Sequence, residues 1–336
     1  MNDGPRPLLA TDDRPLNALV TGAGGFVGRW LVRALQDVGV TVTALALPDA
    51  APTVGHLTSS TTRPVAWFTG DLRDDAFVAE AVGRSRPDFV VHLAAISHLP
   101  TAAADPAAAW DINVTATARL LHHVEGWRAH GEADPVVLIV GSAEQYGRQV
   151  NASPICETAL QAPRTVYAAT KAAQEILALQ LWRAAGLRVV VARSFNHSGA
   201  GQDPRFLLPA LVARAVELRG APTGTSLLVG NLSPIRDFLH VSDVVSAYIS
   251  LLQRGASGES YNVASGVGRS VQQVVECVLA RAGVDAPIAV DPALVRPVDV
   301  PALVGDSNKL QQTTGWRATR TFEDIIDDLI KHAEAH

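Results

Sequence analysis

Cysteine is scarce in this sequence, and long apolar runs are missing from it. Only two of the 336 residues are cysteines, Cys156 and Cys277, and their separation fits neither a disulfide framework nor a metal-ligand spacing. Such sparse cysteine is typical of a protein from the reducing cytoplasm, so we expect a cytoplasmic location and no metal site. No apolar run approaches the roughly 20 residues that a membrane-spanning helix needs, so we expect no membrane partner.

Charged residues are also few, and the basic ones are scattered. They make up 18% of the chain, whose formal net charge is −5. Because no stretch is rich in lysine or arginine, we do not expect nucleic acid as a partner. An apolar share of 48% is ample for a large core and argues against disorder. Residues 1–15 are polar and contain proline, without the apolar centre of a signal peptide, and we interpret them as a flexible tail.

Strand-like and helix-like segments alternate through the first 195 residues. Helical spacing of apolar residues, as in the stretch 25–38, separates continuous apolar runs, and such runs are typical of strands buried on both faces. The apolar runs lie at 16–21, 40–47, 65–70, 87–95, 135–140 and 187–194. This alternation predicts the α/β class, with a doubly wound parallel sheet (a Rossmann domain) over residues 16–195.

The second half of the chain is less regular. Helical patterns there are interrupted by loops rich in proline and glycine. We assign residues 196–231 and 266–336 to a smaller C-terminal lobe that binds the substrate. Residues 232–265 are expected to return to the dinucleotide-binding domain.

The string TGAGGFVG stands between the first predicted strand and the first predicted helix. Its Gly22, Gly25 and Gly28 keep the spacing G-x-x-G-x-x-G. A turn of this kind lets backbone N–H groups approach a pyrophosphate, and the helix N-terminus adds a favourable dipole. The alternative is a tight turn that binds nothing. The strand before it and the helix after it favour a dinucleotide, which Phe26 and Val27 are also expected to contact.

Two acidic residues follow the next predicted strands. Asp49 can accept a hydrogen bond from the ribose 2′-hydroxyl of NAD, and no arginine stands beside it to hold a 2′-phosphate. It therefore favours NAD over NADP, although a solvated Asp49 is an equal alternative. Asp71, in GDLRD, can bind the adenine amine with Leu72 packed nearby, or it can serve as a helix N-cap.

A serine, a tyrosine and a lysine form a candidate catalytic set. Tyr167 and Lys171 are four residues apart on a helical pattern, so that their side chains share one face. A neighbouring cation favours the phenolate and thereby lowers the pKa of a tyrosine, which makes the tyrosine a usable acid or base. Ser142, at the end of the strand PVVLIV, can bind the same substrate oxygen. The alternative is an ordinary exposed helix face.

These strings together resemble the extended short-chain dehydrogenases/reductases that act on nucleotide sugars. TGAGGFVG, GDLRD, VVHLAA, GSAEQYG and YAATK follow in the family's order, and the likeness covers about residues 16–332. The resemblance implies NAD or NADP in the glycine loop and a homodimer formed through helices near 106–125 and 164–185. It also implies that Leu93, Ala94 and Ala95 lie beside the cofactor, that Lys171 binds the nicotinamide ribose, and that Asn113 supports the active site.

The second half resembles the branch of this family that acts on GDP-mannose derivatives. The strings SFNHSGAGQDPRF, GNLSPIRDFLHVSD and ESYNVASGV are most similar to reductases that convert GDP-4-keto-6-deoxy-D-mannose to GDP-D-rhamnose in deoxysugar biosynthesis. Guanidinium groups bind diphosphates well, so the resemblance implies that Arg236 and Arg296 bind a GDP-sugar, together with Asn196. Without the resemblance, these residues favour surface salt bridges for the two arginines and a turn for the asparagine. Arg205 and His197 are further candidates.

The stretch GSAEQYG leaves three functions open. A reductase needs hydride transfer from the nicotinamide, with Tyr167 as proton donor and Ser142 on the carbonyl oxygen, and it needs no carboxylate. A GDP-mannose 4,6-dehydratase also needs a base, which Glu144 matches, but Ala143 stands where dehydratases carry a polar residue. A 4-epimerase with tightly bound NAD(P) is the other catalytic alternative. A sensor without turnover is disfavoured by the complete set Ser142, Tyr167 and Lys171.

Overall fold

The structure is a computed structural model that describes residues 15–50, 65–131, 133–149, 154–295 and 300–335. The predicted flexible tail therefore lies, except for its last residue, outside the described residues. Among the described helices, none combines the length and the apolar character needed to cross a membrane.

The described strands form one large sheet and two small ones. In chain order they are β1 (Asn17–Thr21), β2 (Thr41–Ala46), β3 (Ala66–Thr69), β4 (Phe89–His92), β5 (Val136–Ser142), β6 (Arg188–Ser194), β7 (Asn196–Ser198), β8 (Leu227–Val229), β9 (Ile235–His240), β10 (Glu259–Val263), β11 (Gly268–Ser270), β12 (Ile288–Val290) and β13 (Ala302–Leu303). The large sheet has the order β10-β6-β5-β4-β1-β2-β3, and every neighbouring pair in it is parallel. The predicted α/β class and doubly wound parallel sheet are confirmed.

Helices cover both faces of this sheet. The described helices, including those of the smaller lobe, are α1 (Phe26–Asp37), α2 (Asp75–Ser85), α3 (Leu99–Ala104), α4 (Pro106–Trp110), α5 (Ala116–Ala129), α6 (Val166–Ala185), α7 (Leu207–Leu218), α8 (Val241–Arg254), α9 (Val271–Ala282), α10 (Asn308–Thr314) and α11 (Phe322–Glu334). On one face, Leu31 of α1 and Tyr248 of α8 belong to a single buried core. On the other face, Leu120 of α5 and Ala178 of α6 belong to a second one.

The sequence pattern of the helix predicted near 106–125 corresponds to three pieces. A π-helical turn, Asp111–Thr115, separates α4 from α5, and the backbone N–H of Ala116 donates to the carbonyl of Asp111. The extra residue in this turn changes the direction in which Asn113 points, and the side chain is fully buried. The π turn therefore aims Asn113 toward the interior rather than along the helix surface.

A smaller lobe adjoins the large sheet. In it β9 pairs with β7, β11 and β13, and the amphipathic helices α7, α9 and α11 share one apolar core. Residues 232–265 contribute β9 to this lobe, whereas α8 and β10 join the layers of the large sheet. The predicted domain boundaries stay a prediction.

The order of the large sheet locates the site. The chain leaves β1 toward β2 and β3, and it later crosses to β4, β5 and β6 on the other side of β1. In open α/β sheets, ligands bind at the carboxyl ends of the strands where this reversal occurs. The glycine loop after β1, the loop after β4 and the end of β5 all lie at that edge.

Candidate active site

A cleft of about 1310 Å³ runs along the carboxyl edge of the large sheet and continues under the small lobe. Single small-molecule sites are usually about 300–1,000 Å³, so this volume suits a cofactor and a substrate together. Its walls include nearly all the described residues that the sequence singled out. They are Gly22, Gly25, Phe26, Val27, Gly28, Asp49, Asp71, Leu72, Leu93, Ala94, Ala95, Ser142, Glu144, Tyr167, Lys171, Asn196 and Arg236.

The glycine loop can hold no side chains at its key positions. Gly22 has a φ of +67°, and a Cβ atom on it would lie 2.8 Å from the backbone nitrogen of Ala94. A Cβ atom on Gly28 would lie 2.3 Å from the carbonyl oxygen of Gly22. No side chain caps the N-terminus of α1, whose first N–H groups open onto the loop. A pyrophosphate fits such a cradle, since it accepts these N–H groups and interacts favourably with the helix dipole.

The two candidate ribose and adenine residues differ in their surroundings. Asp49 is exposed in the turn after β2, at the rim of the cleft. The carboxylate of Asp71 takes hydrogen bonds from the Arg73 guanidinium, with distances of 2.6–3.1 Å, and this bonding lowers its pKa. The N-cap of α2 is Asp74. The alternative interpretation of Asp71 as a helix N-cap was therefore wrong.

Tyr167 and Lys171 stand one turn apart near the start of α6. Thr165 caps this helix by accepting the backbone N–H of Ala168 at 3.1 Å, so the tyrosine lies in the first turn. Lys171 is 3% exposed, and its Nζ donates to the carbonyl of Val140 on β5 at 2.8 Å. The Ser142 hydroxyl, at the end of β5, is hydrogen-bonded to the Tyr167 phenol. The structure thus brings together the three side chains of the predicted set.

Burial dominates the proton affinities of this set. It raises the pKa of Tyr167 to about 12, against a smaller lowering by the Ser142 hydrogen bond, and Glu144 adds a further increase. Burial also lowers the pKa of Lys171 to about 7. The sequence predicted instead that the lysine lowers the pKa of the tyrosine. In the structure the loss of solvent around the phenol is the larger effect, so Tyr167 is protonated at neutral pH.

Asn113 fastens the loop after β4 to α6. Its Oδ1 accepts the backbone N–H of Ile96 at 2.7 Å, and its Nδ2 donates to Thr170 Oγ1 at 2.9 Å. Since Thr170 lies between Tyr167 and Lys171 on α6, Asn113 connects the cofactor side of the cleft to the catalytic helix. This geometry matches the supporting role that the family resemblance implied.

A buried histidine, not anticipated from the sequence, lies below the cofactor side. His92 is hydrogen-bonded to Thr21 Oγ1 and to Thr117 Oγ1, each at 2.8 Å. Burial lowers its pKa to about 3, and the charge of Lys171 contributes. A neutral His92 therefore joins β1, β4 and α5 beneath the loop. Its position in an apolar strand concealed its polar contacts.

Glu144 and Ala143 lie in a short turn directly after Ser142. The backbone N–H of Glu144 donates to Ser142 Oγ at 3.2 Å, and Glu144 is partly exposed at the wall of the cleft. Ala143 is only 2% exposed and packs with Tyr146 and Phe195. A methyl group therefore occupies the position next to the carboxylate.

Of the candidate substrate residues, Asn196 and Arg236 both line the cleft. The Nδ2 of Asn196 donates to the carbonyl of Asp237 at 3.3 Å, and Arg236 Nη1 donates to the carbonyl of Val300 at 2.7 Å. Arg296 lies outside the described residues.

The weaker candidates also reach the cleft, each with a local partner. The Arg205 guanidinium is paired with Asp203 at 2.8 Å on the surface. The His197 ring stacks on Phe26 of α1, with 6.3 Å between the ring centres. The sequence reasoning missed Arg164 and Arg214, which line the cleft, because nothing in an amphipathic pattern separates a cleft arginine from a solvated one.

The chain was compared with known proteins. Residues 19–329 match the family model described as GDP-mannose 4,6 dehydratase. The chain is 32% identical to a GDP-6-deoxy-D-mannose reductase from Pseudomonas aeruginosa, over 94% of this chain and 96% of that protein. It is 30% identical to a dTDP-glucose 4,6-dehydratase from Xanthomonas campestris pv. campestris, over 92% and 90% of the two chains.

A solved structure shares the fold over nearly the whole chain. The structure of RMD from Pseudomonas aeruginosa complexed with NADPH superposes with a TM-score of 0.80 and 30% identity, covering 95% of this chain and 99% of that one. Reductase and dehydratase relatives are thus similar to this chain over the same span.

Proposed function

The chain belongs to the GDP-mannose 4,6-dehydratase family, and from this premise we propose that it is an NAD(P)H-dependent reductase of a nucleotide-diphosphate 4-keto-6-deoxy sugar. The specific reaction is the conversion of GDP-4-keto-6-deoxy-D-mannose to GDP-D-rhamnose, by analogy with the similar GDP-6-deoxy-D-mannose reductase. One observation carries the proposal: Ser142, Tyr167 and Lys171 line the same cleft as the glycine loop.

The cradle formed by Gly22, Gly25 and Gly28 supports a dinucleotide, and the similar structure of RMD from Pseudomonas aeruginosa is complexed with NADPH. When bound, the nicotinamide supplies the hydride. Either NADH or NADPH serves in this proposal, and the exposed carboxylate of Asp49 favours a ribose without a 2′-phosphate. Lys171 holds the nicotinamide ribose, while Leu93, Ala94 and Ala95 border it.

Tyr167 is the proposed proton donor. At a pKa of about 12 the phenol carries its proton at neutral pH, and it can give that proton to the forming alkoxide, which is a stronger base than the phenolate. Ser142 Oγ hydrogen-bonds the carbonyl oxygen of the sugar and stabilises the charge that develops there. Asn196, Arg236 and Arg296 are the proposed contacts of the nucleotide-diphosphate sugar, since guanidinium groups match phosphate oxygens.

A second function, that of a 4,6-dehydratase, is favoured by one residue. Glu144 lines the cleft beside Ser142, where a base for carbon-bound protons would stand. The neighbouring Ala143 supports the reductase, because a methyl group neither donates nor accepts the second proton that elimination of water needs. A nucleotide-sugar 4-epimerase is the remaining alternative, and it would turn over without net consumption of reduced cofactor.

An assay of the purified protein tests the proposal. The protein is given GDP-mannose alone, and separately GDP-4-keto-6-deoxy-D-mannose with NADPH or NADH. We expect oxidation of the reduced cofactor with the keto sugar and formation of GDP-D-rhamnose. Formation of the 4-keto product from GDP-mannose alone would identify a dehydratase. Interconversion of 4-epimers without cofactor consumption would identify an epimerase.

Substitution of Glu144 provides a second test. We expect Glu144→Gln to lower the kcat of a reductase by less than about 10-fold, because the reaction moves no carbon-bound proton to a carboxylate. In a dehydratase the same change removes the base, and losses of about 100-fold or more are usual for such groups. Steady-state kinetics with the keto sugar and NADPH measures the reductase reaction, and the same variant given GDP-mannose measures the dehydratase reaction. Glu276→Gln, the same exchange at an exposed position outside the cleft, is the control.

We also propose a cytoplasmic homodimer. The sparse cysteines support the compartment. The side chain of Ile176 on α6 is 65% exposed, an apolar group suited to a partner helix. Leu177, Leu181 and Trp182 pack instead against the core beside the sheet. Sedimentation velocity measures the mass, and Ile176→Glu should dissociate such a dimer.

A further inference from the structure

A buried polar cluster lies directly behind the turn that carries Ser142 and Glu144. Its centre is an ion pair between Glu175 of α6 and Arg193 of β6, with an N–O distance of 2.5 Å. The two side chains are 2% and 7% exposed. Removing two charges from water is unfavourable unless both are well paired, so this pair requires a structural or functional explanation.

The cluster reaches the catalytic turn through Gln145. The Oε1 of this fully buried amide accepts the backbone N–H of Ser142 at 2.7 Å. A Cβ atom on Gly141 would lie 2.5 Å from the same oxygen, so only glycine leaves room for the amide there. The side chain of Gln145 therefore fixes the backbone of Ser142, while the backbone N–H of the preceding residue, Glu144, bonds the Ser142 hydroxyl.

The other end of the same amide reaches the catalytic helix. Gln145 Nε2 donates to Glu175 Oε2 at 2.8 Å. Glu175 follows Lys171 by four residues, as Lys171 follows Tyr167, so all three side chains lie along one stripe of α6. One amide thus joins the turn that carries Ser142 to the helix that carries Tyr167.

The remaining contacts hold the carboxylate in one orientation. Glu175 Oε1 accepts from Ser260 Oγ at 2.9 Å, and Arg193 donates to the Tyr146 phenol at 2.8 Å. The Tyr146 phenol in turn donates to Asn262 Oδ1 at 2.7 Å. Arg193 lowers the pKa of Glu175, which acts against the increase from burial and keeps the acceptor charged.

We propose that Gln145 and Glu175 form a positioning clamp that sets the distance between the Ser142 hydroxyl and the Tyr167 phenol. The inference rests on the proposed function, because it assigns the clamp to the reaction that Ser142 and Tyr167 carry out. Neither clamp residue lines the cleft. They act through Ser142, whose Oγ must meet the same substrate oxygen as the phenol.

The primary test compares two substitutions that each remove one hydrogen bond from Glu175. Gln145→Met fills the same buried space without an amide and breaks the link to the turn. Ser260→Ala removes the bond on the opposite side of the carboxylate. A misplacement of about 1 Å can cost about 100-fold in rate. We expect Gln145→Met to lower kcat by about 30- to 100-fold and Ser260→Ala by less than about 3-fold.

The kinetic pattern separates positioning from general support of the fold. For Gln145→Met, KM for the sugar and Kd for NADPH should stay within about 3-fold of the wild type, and thermal unfolding should remain cooperative. In a Ser142→Ala background, Gln145→Met should lower kcat by less than about 3-fold further, because the clamp then has no hydroxyl to position. Equal losses in Gln145→Met and Ser260→Ala, or full additivity with Ser142→Ala, would overturn the clamp.

A second variant keeps the proposal testable if Gln145→Met does not fold. Gln145→Asn keeps the amide but is one methylene shorter, so it reaches Ser142 or Glu175 but not both. We expect it to lower kcat at least 10-fold, and wild-type kcat in this variant contradicts the clamp. If the wild type does not oxidise NADPH with the keto sugar, the proposed reductase function fails. In that case the clamp variants are assayed with GDP-mannose, the substrate of a dehydratase, and we expect the same ratios of variant to wild-type kcat.

Discussion

The two walls of the cleft are built in different ways. On the sheet side, Lys171 is buried, and its Nζ donates to the carbonyl of Val140, 31 residues away in the chain. Directly behind this wall, Glu175 is buried and bonded to Gln145 and Arg193, which are 30 and 18 residues away. On the lobe side, Arg205 is exposed and paired with Asp203, two residues before it. Arg236 is partly exposed, although its Nη1 donates to the carbonyl of Val300, 64 residues away. Polar groups that are buried among distant partners are held in place by the whole fold. The sheet wall is therefore suited to fix the reacting atoms, and the lobe wall to recognise a particular substrate at low structural cost.

This difference predicts that changes in the sheet wall lower kcat, whereas changes in the lobe wall raise KM. The largest effect is expected for Tyr167→Phe. Loss of a general acid usually costs about 10²- to 10⁴-fold, and we expect kcat to fall by that factor with little change in KM. Steady-state reduction of the keto sugar measures it.

Tyr261→Phe is the matched control for that substitution. Its hydroxyl is also buried, and it accepts the backbone N–H of Ala256 far from the reacting set. We expect its kcat to stay near that of the wild type. Similar losses in both variants would mean that a buried hydroxyl, and not a proton donor, explains the effect.

A smaller effect, on KM rather than on kcat, is expected for Arg236→Met on the lobe wall. A hydrogen bond to a charged group contributes about 1.5–3 kcal/mol, which corresponds to about 10- to 100-fold in affinity. We expect KM for the nucleotide sugar to rise by that factor, while kcat and the Kd of NADPH change little. Arg236→Lys should recover only part of the loss, because the ammonium lacks the bidentate fork.

Arg281→Met serves as the control for Arg236. This arginine pairs with Asp327 on the surface, away from the cleft. Its KM should match the wild type. A fall in kcat without a rise in KM for Arg236→Met would contradict the division between the two walls.

The smallest effect concerns the stability of the protein without cofactor. Burial lowers the pKa of Lys171 from 10.5 to about 7. Between these values the unfolded chain binds more protons than the folded one, so the free energy of unfolding rises with pH across that window. Lys171→Met should reduce this slope by about 1 kcal/mol per pH unit. Urea unfolding between roughly pH 7.5 and pH 9.5, the central part of the window, measures the slope.

Lys331→Met, on the exposed face of α11, provides the comparison for the stability measurement. Its slope should equal that of the wild type. The phenol of Tyr167 acts in the opposite sense only above its usual pKa of 10.0, because its pKa in the folded protein is raised. An unchanged slope in Lys171→Met would show that the buried amine does not titrate in this range.

The sequence predicted the sheet wall better than the lobe wall, for a physical reason. The glycines of the first loop and the four-residue spacing of Tyr167 and Lys171 are local patterns, and local patterns follow from backbone geometry alone. The family resemblance added Asn113, which the π turn then aims inward.

Contacts between distant segments were beyond the sequence. Gln145 and Glu175 lie 30 residues apart, and only the packing of α6 on β5 makes their side chains meet. A contact between residues close in the chain was also missed at Asp71. Its carboxylate is paired with the Arg73 guanidinium, and this pairing competes with the two predicted roles, adenine binding and helix N-capping. The effect of burial on the pKa of Tyr167 also depends on atoms from several elements, which no spacing in the sequence reveals.

The π turn before α5 makes the geometry of this segment sensitive to the insertion or deletion of a single residue. Each residue of a regular helix advances the chain by about 100° around the axis, so the one extra residue rotates α4 by that angle relative to α5. Deletion of one residue from Asp111–Thr115 would restore regular geometry and turn Asn113 away from Ile96 and Thr170. The number of residues in this segment therefore matters as well as their identity, and we expect insertions and deletions that preserve activity to fall elsewhere.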